Sequence, residues 1–512
     1  IKSENSSFLK SEKFGKKDVR KYNGLISLKL SEREIKKLEK DSDIEKISYS
    51  PQIHAFLQDS VSLINASKVW DIKVSGKNIT GIDQTICVID SGINFSHPDL
   101  IGKNLTCVID CYNKDCKENC TISDDNGHGT HVAGIISAFG GIKGVAINAS
   151  LIGVKVLDEN GEGHPTHSGI DLTNAIDWCI ENSDKYNISV ITMSLGTSTL
   201  YDNYCDSSYS ASWTNSINNA TLHNISVVAA TGNDNNFTHI AAPACIENAT
   251  SVSATNKDDS VSSYGNYNSI TDFFAPGTNI NSTFIGPSCV SSCVCSGNYM
   301  RCSGTSMAAP HVAASFALLR EFYELQNNLV PLPQELKDAL NSSGSLIDAN
   351  GVNIPRINVF SAISFLDRVA PSVNLVSPKN NSINSTQNQY FICNATDNVN
   401  LKNVTLEIWN YNNTLYYNFT NETSGFFSEV EFNITLDKGN YKWNCLSYDG
   451  NHNLSVAESN FSLFVGENLS VSLKSPANNS FTNQNVINFT CLSQTAPNFN
   501  LTNITFFIWN ST

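Results

Sequence analysis

Between residues 64 and 366, short apolar runs alternate with amphipathic stretches, and this confines the segment to a parallel sheet covered by helices on both faces. The runs occupy 85–89, 151–156, 190–193 and 225–230, and residues 171–180 form one of the amphipathic stretches between them. Each run is apolar nearly throughout, as a strand buried on both faces must be. The expectation is an α/β domain. Open parallel sheets bring ligands and chemistry to the carboxyl ends of their strands.

The flanks read differently. Residues 1–60 hold most of the charge runs, including 10–17. Residues 25–30 alternate like a half-buried strand, and Ser31 with Glu34 forms a capping box ahead of a helical face at Ile35 and Leu38. Residues 44–49 resume a strand pattern. This small α+β (β-α-β) unit is too polar to be very stable alone. Beyond Pro371 polar–apolar alternation takes over, at 404–409, 441–445 and 461–465. Ser377-Pro-Lys-Asn-Asn-Ser382 with Cys393 and Trp409 recurs as Ser475-Pro-Ala-Asn-Asn-Ser480 with Cys491 and Trp509. The expected units are 1–60, 64–366, a β-sandwich at 371–466, and the start of a second repeat at 467–512. The order Cys393, Trp409, Cys445 resembles an immunoglobulin-like sandwich, which implies a Cys393–Cys445 bridge. Cys491 is then expected to pair beyond residue 512.

Composition bounds the setting. Lys and Arg number 33 against 48 Asp and Glu, a net charge of −15, which excludes the basic face of a nucleic-acid binder. No apolar run reaches the ~18 residues of a membrane span. Fifteen cysteines, together with acceptor sequons at Asn65, Asn104, Asn187 and Asn403, point to an oxidising compartment and an extracellular or cell-surface location. The chain is read as a fragment, separated from a signal peptide and a C-terminal anchor.

Three segments carry reactive groups at element ends: Asp90-Ser-Gly92 after an apolar strand, Asn126-Gly-His128-Gly-Thr-His131 at a helix start, and Ser303-Gly-Thr-Ser306-Met-Ala-Ala-Pro310 ahead of another helix. Acyl transfer needs these types. A serine hydroxyl attacks only when an imidazole takes its proton, and a buried carboxylate fixes the imidazole tautomer and stabilises its cation. Flanking glycines admit a substrate backbone.

In this chain order the three motifs resemble those of the subtilisin-like serine peptidases, the subtilases, over roughly residues 60–366. The resemblance implies that Asp90 orients, His128 is the general base and acid, and Ser306 is the nucleophile. Residues 227–233 resemble the family's oxyanion segment, so Asn233 is expected to donate to the oxyanion beside the Ser306 amide, with Ala230, Thr231 and Gly232 lining the substrate site. Thr231 stands where many relatives carry a small residue. Ser194, Leu195 and Gly196 resemble the segment that pairs with an extended substrate and walls the primary pocket. The leading unit resembles an inhibitory propeptide, with residues 53–59 in the cleft and self-processing between 51 and 64.

Other conspicuous residues are read as structural. His131 and His311 are expected to pack, and His164 and His167 lack nearby carboxylate or thiol ligands. Cys107, Cys111, Cys116 and Cys120 crowd one loop and Cys289, Cys293, Cys295 and Cys302 another; two disulfides in each are expected in preference to zinc. Resemblance to relatives implies a Cys205–Cys245 bridge. Cys87 and Cys179 are expected as buried free thiols. The chemistry needs no cofactor. Many subtilases bind calcium and Asp99 matches one ligand position, but 138–144 lacks the polar side chains of the usual partner loop, so calcium is left unassigned.

The leading expectation is a secreted or surface serine endopeptidase acting on polypeptides and on its own propeptide. The alternative is a non-catalytic adhesion or scaffold protein carrying a peptidase-like domain. A lipase is disfavoured, because no G-x-S-x-G elbow surrounds Ser306. The C-terminal repeats are open to envelope or carbohydrate contact, and nothing in the residues chooses between them.

Overall fold

The computed structural model describes residues 59–508 except 208–210, 286–288, 290–292, 467–469, 495–502 and 506, together with 20–22, 25–27, 35–36, 38 and 40–41 of the leading segment. The chain divides into two compact units, Ile1–Leu57 and Gln58–Thr512. In the first, Arg20–Tyr22 pairs antiparallel with Leu25–Ser27, and Ile35, Lys36 and Leu38 are helical. The capping box at Ser31 and Glu34, the strand expected at 44–49 and the cleft segment at 53–58 lie outside the described residues.

The second unit is built on a ten-stranded sheet. In chain order its strands are β1 (Thr85–Asp90), β2 (Val108–Asp110), β3 (Lys117–Asn119), β4 (Ser150–Lys155), β5 (Ile188–Met193), β6 (Ser226–Ala230), β7 (Thr250–Thr255), β8 (Phe273–Pro276), β9 (Ser345–Ala349) and β10 (Val352–Arg356). In space they run β9-β10-β8-β7-β6-β5-β1-β4-β2-β3. The edge strands β3 and β9 are antiparallel to their neighbours and every other pairing is parallel. Helices α1 (His128–Ser137) and α4 (Thr305–Asn327) cover one face, and α2 (Ser168–Glu181) and α3 (Ala211–Leu222) cover the other. Two further helices, α5 (Pro333–Ser343) and α6 (Val359–Leu366), extend the first layer.

The apolar runs explain this sandwich. On β1, Ile86 and Val88 enter the core beneath α1 and α4, while Cys87 and Ile89 enter the core beneath α2 and α3. On β6, Val228 and Ala230 alternate with Val227 and Ala229 in the same way. Both faces are buried, so both parities are apolar, at roughly 1.5–3 kcal/mol for each large aliphatic side chain removed from water. Val61 and Ile64 also sit in the first core, 5% and 0% exposed, so the compact body begins before residue 64.

Seven disulfides are formed: Cys87–Cys179, Cys107–Cys120, Cys111–Cys116, Cys205–Cys245, Cys289–Cys295, Cys293–Cys302 and Cys393–Cys445. Both cysteine-rich loops are therefore bridged. The expectation for Cys87 and Cys179 is corrected: they join β1 to α2 across 92 residues, because strand parity and helix phase bring both side chains into the second core. Cys491 is free.

The described residues beyond 371 form strands and loops without a helix. Strands β11 (Ser372–Ser377), β12 (Asn388–Thr396) and β15 (Phe427–Thr435) form one sheet. Strands β13 (Leu401–Asn410), β14 (Leu415–Glu422), β16 (Gly439–Asp449) and β17 (Phe461–Val465) form the body of a second. Cys393 and Cys445 link the two across a core that includes Phe391, Leu406, Ile408 and Trp443. The core tryptophan is Trp443, edge-on to Phe391 at 5.1 Å, whereas Trp409 is only half-buried. Ser470–Ser475 and Thr490–Gln494 repeat the β11–β12 pairing.

Candidate active site

Asp90 is the last residue of β1 and is fully buried. Its Oδ1 accepts the backbone N–H of Ser91 at 2.7 Å. His128 opens α1, and its Nδ1 lies 2.8 Å from Oδ1 and 3.0 Å from Oδ2 of Asp90. The imidazole keeps 27% of its surface against 0% for the carboxylate, so one ring edge faces Asp90 and the other is open. Burial by itself lowers the His128 pKa; the charge and hydrogen bond of Asp90 outweigh it and hold the imidazole above its ordinary value.

The α1 start is held by a residue the sequence reading passed over. Asp124 Oδ1 accepts from Ser91 Oγ (2.8 Å), Asn126 N (3.2 Å) and Gly127 N (2.8 Å). Its Oδ2 accepts from Thr130 N (2.8 Å) and Thr130 Oγ1 (2.6 Å). It thus accepts from the cap residue Gly127 and from Thr130 in the first turn, and ties both to the residue beside Asp90. Ser91 Oγ also accepts from Gly129 N at 3.0 Å. Gly129 itself is required: a methyl group there would sit 2.0 Å from the Gly92 carbonyl.

Ser306 is the second residue of α4, and its Oγ donates to the Ser194 carbonyl at 3.0 Å. Asn233 lies beyond the end of β6, where its Oδ1 accepts from Thr305 N (2.9 Å) and Thr305 Oγ1 (3.1 Å). That pairing commits the oxygen and turns Nδ2 the other way. A methyl group on Gly304 would be 3.5 Å from Asn233 Nδ2 and 3.7 Å from Ser306 N, so both donors border the same small space. Neutral amide donors converging at a helix N-terminus suit developing negative charge.

Ser194, Leu195 and Gly196 continue β5 past Met193, its last ladder residue, and Gly196 is exposed. Leu157, His164, Leu195, Gly196 and Trp213 line a groove beside this segment. Ala230 ends β6, and Gly232 has a φ of +104°, which favours glycine. Thr231 is fully buried, and its Oγ1 points to the carbonyls of Asn266 (2.6 Å) and Val252 (3.2 Å). Its hydroxyl therefore shapes the floor of the fold.

Four other histidines make packing or hydrogen-bond contacts. His131 is buried with Nε2 2.9 Å from the Met300 carbonyl, and desolvation pushes it down to about 4. His311 is buried on Met307 O at 2.8 Å and is likewise lowered to about 4. His164 and His167 stack on each other in an exposed loop, and among the described residues no metal-ligand cluster includes them. Both carboxylate oxygens of Asp99 accept hydrogen bonds. Its Oδ1 accepts Gly141 N at 2.9 Å, while Oδ2 accepts Ile142 N at 3.0 Å and the Tyr299 hydroxyl at 2.9 Å. Among the described residues no helix is long and apolar enough to cross a membrane.

A family model described as the subtilase family matches residues 81–353. The minor extracellular protease Epr of Bacillus subtilis (strain 168) is 35% identical over 294 residues, 57% of this chain and 39% of Epr. Subtilisin NAT of Bacillus subtilis subsp. natto is 31% identical over 347 residues, 66% of this chain and 80% of that protein. The chain thus spans well under half of Epr and most of subtilisin NAT. A cold-adapted subtilisin-like serine proteinase of known structure is 32% identical, over 54% of this chain and 88% of that one, with a TM-score of 0.43.

Proposed function

The chain belongs to the subtilase family of serine endopeptidases, and from that premise we propose that it hydrolyses peptide bonds outside the cell through Asp90, His128 and Ser306. The observation that carries this reading is the two-oxygen contact of a fully buried Asp90 with Nδ1 of a half-open His128. Such a contact fixes the tautomer with Nε2 free to accept a proton.

In the proposed cycle an extended peptide pairs with Ser194–Gly196 and brings its scissile carbonyl to Ser306. Oγ leaves its contact with the Ser194 carbonyl and attacks, and its proton passes to His128 Nε2. Asp90 stabilises the imidazolium. Negative charge on the former carbonyl oxygen is met by Asn233 Nδ2 and Ser306 N, and such donors act at full strength where water is excluded. The imidazolium then protonates the leaving amine. Water, deprotonated by the same imidazole, releases the acyl group.

The extracellular setting rests on the seven disulfides, the sequons and the extracellular relative Epr. We assign 64–366 to the peptidase domain, 371–466 to an immunoglobulin-like sandwich and 467–512 to the start of a second. Residues 1–60 are assigned to an inhibitory propeptide. Self-processing is proposed between residues 51 and 64, and the burial of Val61 and Ile64 in the core of the second unit favours a point ahead of them. The test is the full chain against its Ser306→Ala form on unstructured casein. Casein cleavage and N-terminal trimming by the first but not the second support the proposal, and equal behaviour refutes it.

A further inference from the structure

Where α6 hands over to the β-region, three carboxylates converge. Asp367 caps α6, Asp397 follows β12 and Asp449 ends β16. One oxygen from each lies within 4.8 Å of the others. Asp367 and Asp449 are each 1% exposed. Among the described residues no lysine or arginine forms an ion pair with any of the three. Buried like charges without a counter-charge are costly, and proteins resolve them with a proton or a cation.

Hydrogen bonds satisfy one oxygen of Asp367 and of Asp397 and leave the other without a donor. Asp367 Oδ1 accepts from Gln326 Nε2 (2.7 Å), Val369 N (3.0 Å) and Asn398 Nδ2 (3.2 Å), while its Oδ2 is buried with no partner. Asp397 Oδ1 accepts from Val399 N (2.8 Å) and Asn400 N (2.7 Å), and its Oδ2 is again buried and unpaired. Asn398 gives its N–H to Asp367 and leaves its own Oδ1 buried without a donor. Asp449 is oriented by Asn451 N (2.9 Å), Asn453 N (2.8 Å) and Asn453 Nδ2 (2.6 Å). Asn451 and Asn453 also donate to the Asp367 carbonyl, at 2.8 and 3.1 Å. The rim is thus tied together by amides, while three acceptors, one of them a neutral amide oxygen, stay buried without a donor.

We propose that this junction binds one calcium ion through Asp367 Oδ2, Asp397 Oδ2, Asn398 Oδ1 and the Asp449 carboxylate. Oxygens sharing an ion at about 2.3–2.6 Å lie no more than about 5 Å apart, which the three carboxylates satisfy. Every candidate ligand is a hard oxygen, with no imidazole or thiolate to favour zinc. Carboxylates mixed with an amide carbonyl in a site assembled from loops suit calcium, with its flexible 6–8 coordination, better than octahedral magnesium. The ion would lock the last helix of the peptidase unit to the loops at one end of the β-region. The inference does not depend on the peptidase reading.

The test uses the full chain carrying Ser306→Ala, so that self-digestion cannot intervene, with and without Asp397→Asn. This substitution keeps an oxygen for Val399 N and Asn400 N while removing the charge. Calcium titration by calorimetry should show a site in the parent that Asp397→Asn weakens about tenfold or more. Exposed Arg368, beside Asp367, supplies a local readout in the parent chain alone. Trypsin cleavage after Arg368 should slow several-fold when calcium replaces EGTA. Identical titrations of the two chains, or calcium-independent cleavage at Arg368, would overturn the assignment.

Discussion

Ser306 and Ser194 hold one another reciprocally: Ser306 Oγ donates to the Ser194 carbonyl at 3.0 Å, and Ser194 Oγ donates to the Ser306 carbonyl at 2.9 Å. The hydroxyl proposed as nucleophile therefore rests against the strand on which a substrate is proposed to lie. Ser194→Ala removes one of the two bonds and leaves the carbonyl in place. A neutral hydrogen bond is worth about 1 kcal/mol net, so kcat/KM on a chromogenic peptide should fall about fivefold. An unchanged value would mean that the pair does not position Ser306.

The pH profile carries a sign. In the proposed cycle His128 must be neutral to accept the Ser306 proton; Asp90 favours its cation, so the imidazole titrates above its ordinary value near 6.5. Activity is thus expected to be lost as pH falls through that raised pKa. Asp90→Asn should move the acid limb of kcat/KM to lower pH and reduce kcat by about 10⁴-fold. A limb that stays in place in the variant would detach Asp90 from the titration.

Asn233→Ala removes the only side-chain donor assigned to the oxyanion. The expected loss is about 10²–10³ in kcat with KM little altered, a magnitude known from subtilisin itself and not deduced from this chain. Steady-state kinetics on a peptide amide reads both parameters. A rise in KM at constant kcat would place Asn233 in substrate binding instead.

The Cys87–Cys179 bridge ties the strand of Asp90 to α2. Closing so long a loop restricts the unfolded chain, and paired replacement by alanine should cost about 2–5 kcal/mol in a Ser306→Ala background. Denaturant unfolding measures the loss. Peptide mapping without reduction checks the bridge directly, and a Cys87 or Cys179 peptide alkylated before reduction would contradict it.

How much of this was legible in the residues differs by element. The sheet was visible because a strand buried on both faces is apolar at both parities, as Ile86 to Ile89 are. Asp90, His128 and Ser306 stood out because each sits at an element end inside a short motif. Asp124 was hidden: its role exists only once the loop folds back over the first turn of α1. The Cys87–Cys179 pair was misread because a bridge across 92 residues is decided by how helix phase meets strand parity. The tryptophan was decidable from alternation. On β13, Val404, Leu406 and Ile408 share the buried face, which puts Trp409 on the other. On β16, Trp443 shares parity with Cys445. Thr231 was legible by position only, since its direction is set by carbonyls from β7 and the loop near Asn266.

Whether Ser306 is an activated nucleophile decides the proposed chemistry most directly. A fluorophosphonate probe bonds covalently to such a serine, and peptide mass spectrometry locates the adduct. Phosphonylation confined to Ser306, abolished by His128→Ala and accompanied by loss of peptide hydrolysis, is the expected result. An unlabelled Ser306 in a folded chain that still cleaves peptides, or hydrolysis that survives Ser306→Ala, would contradict it.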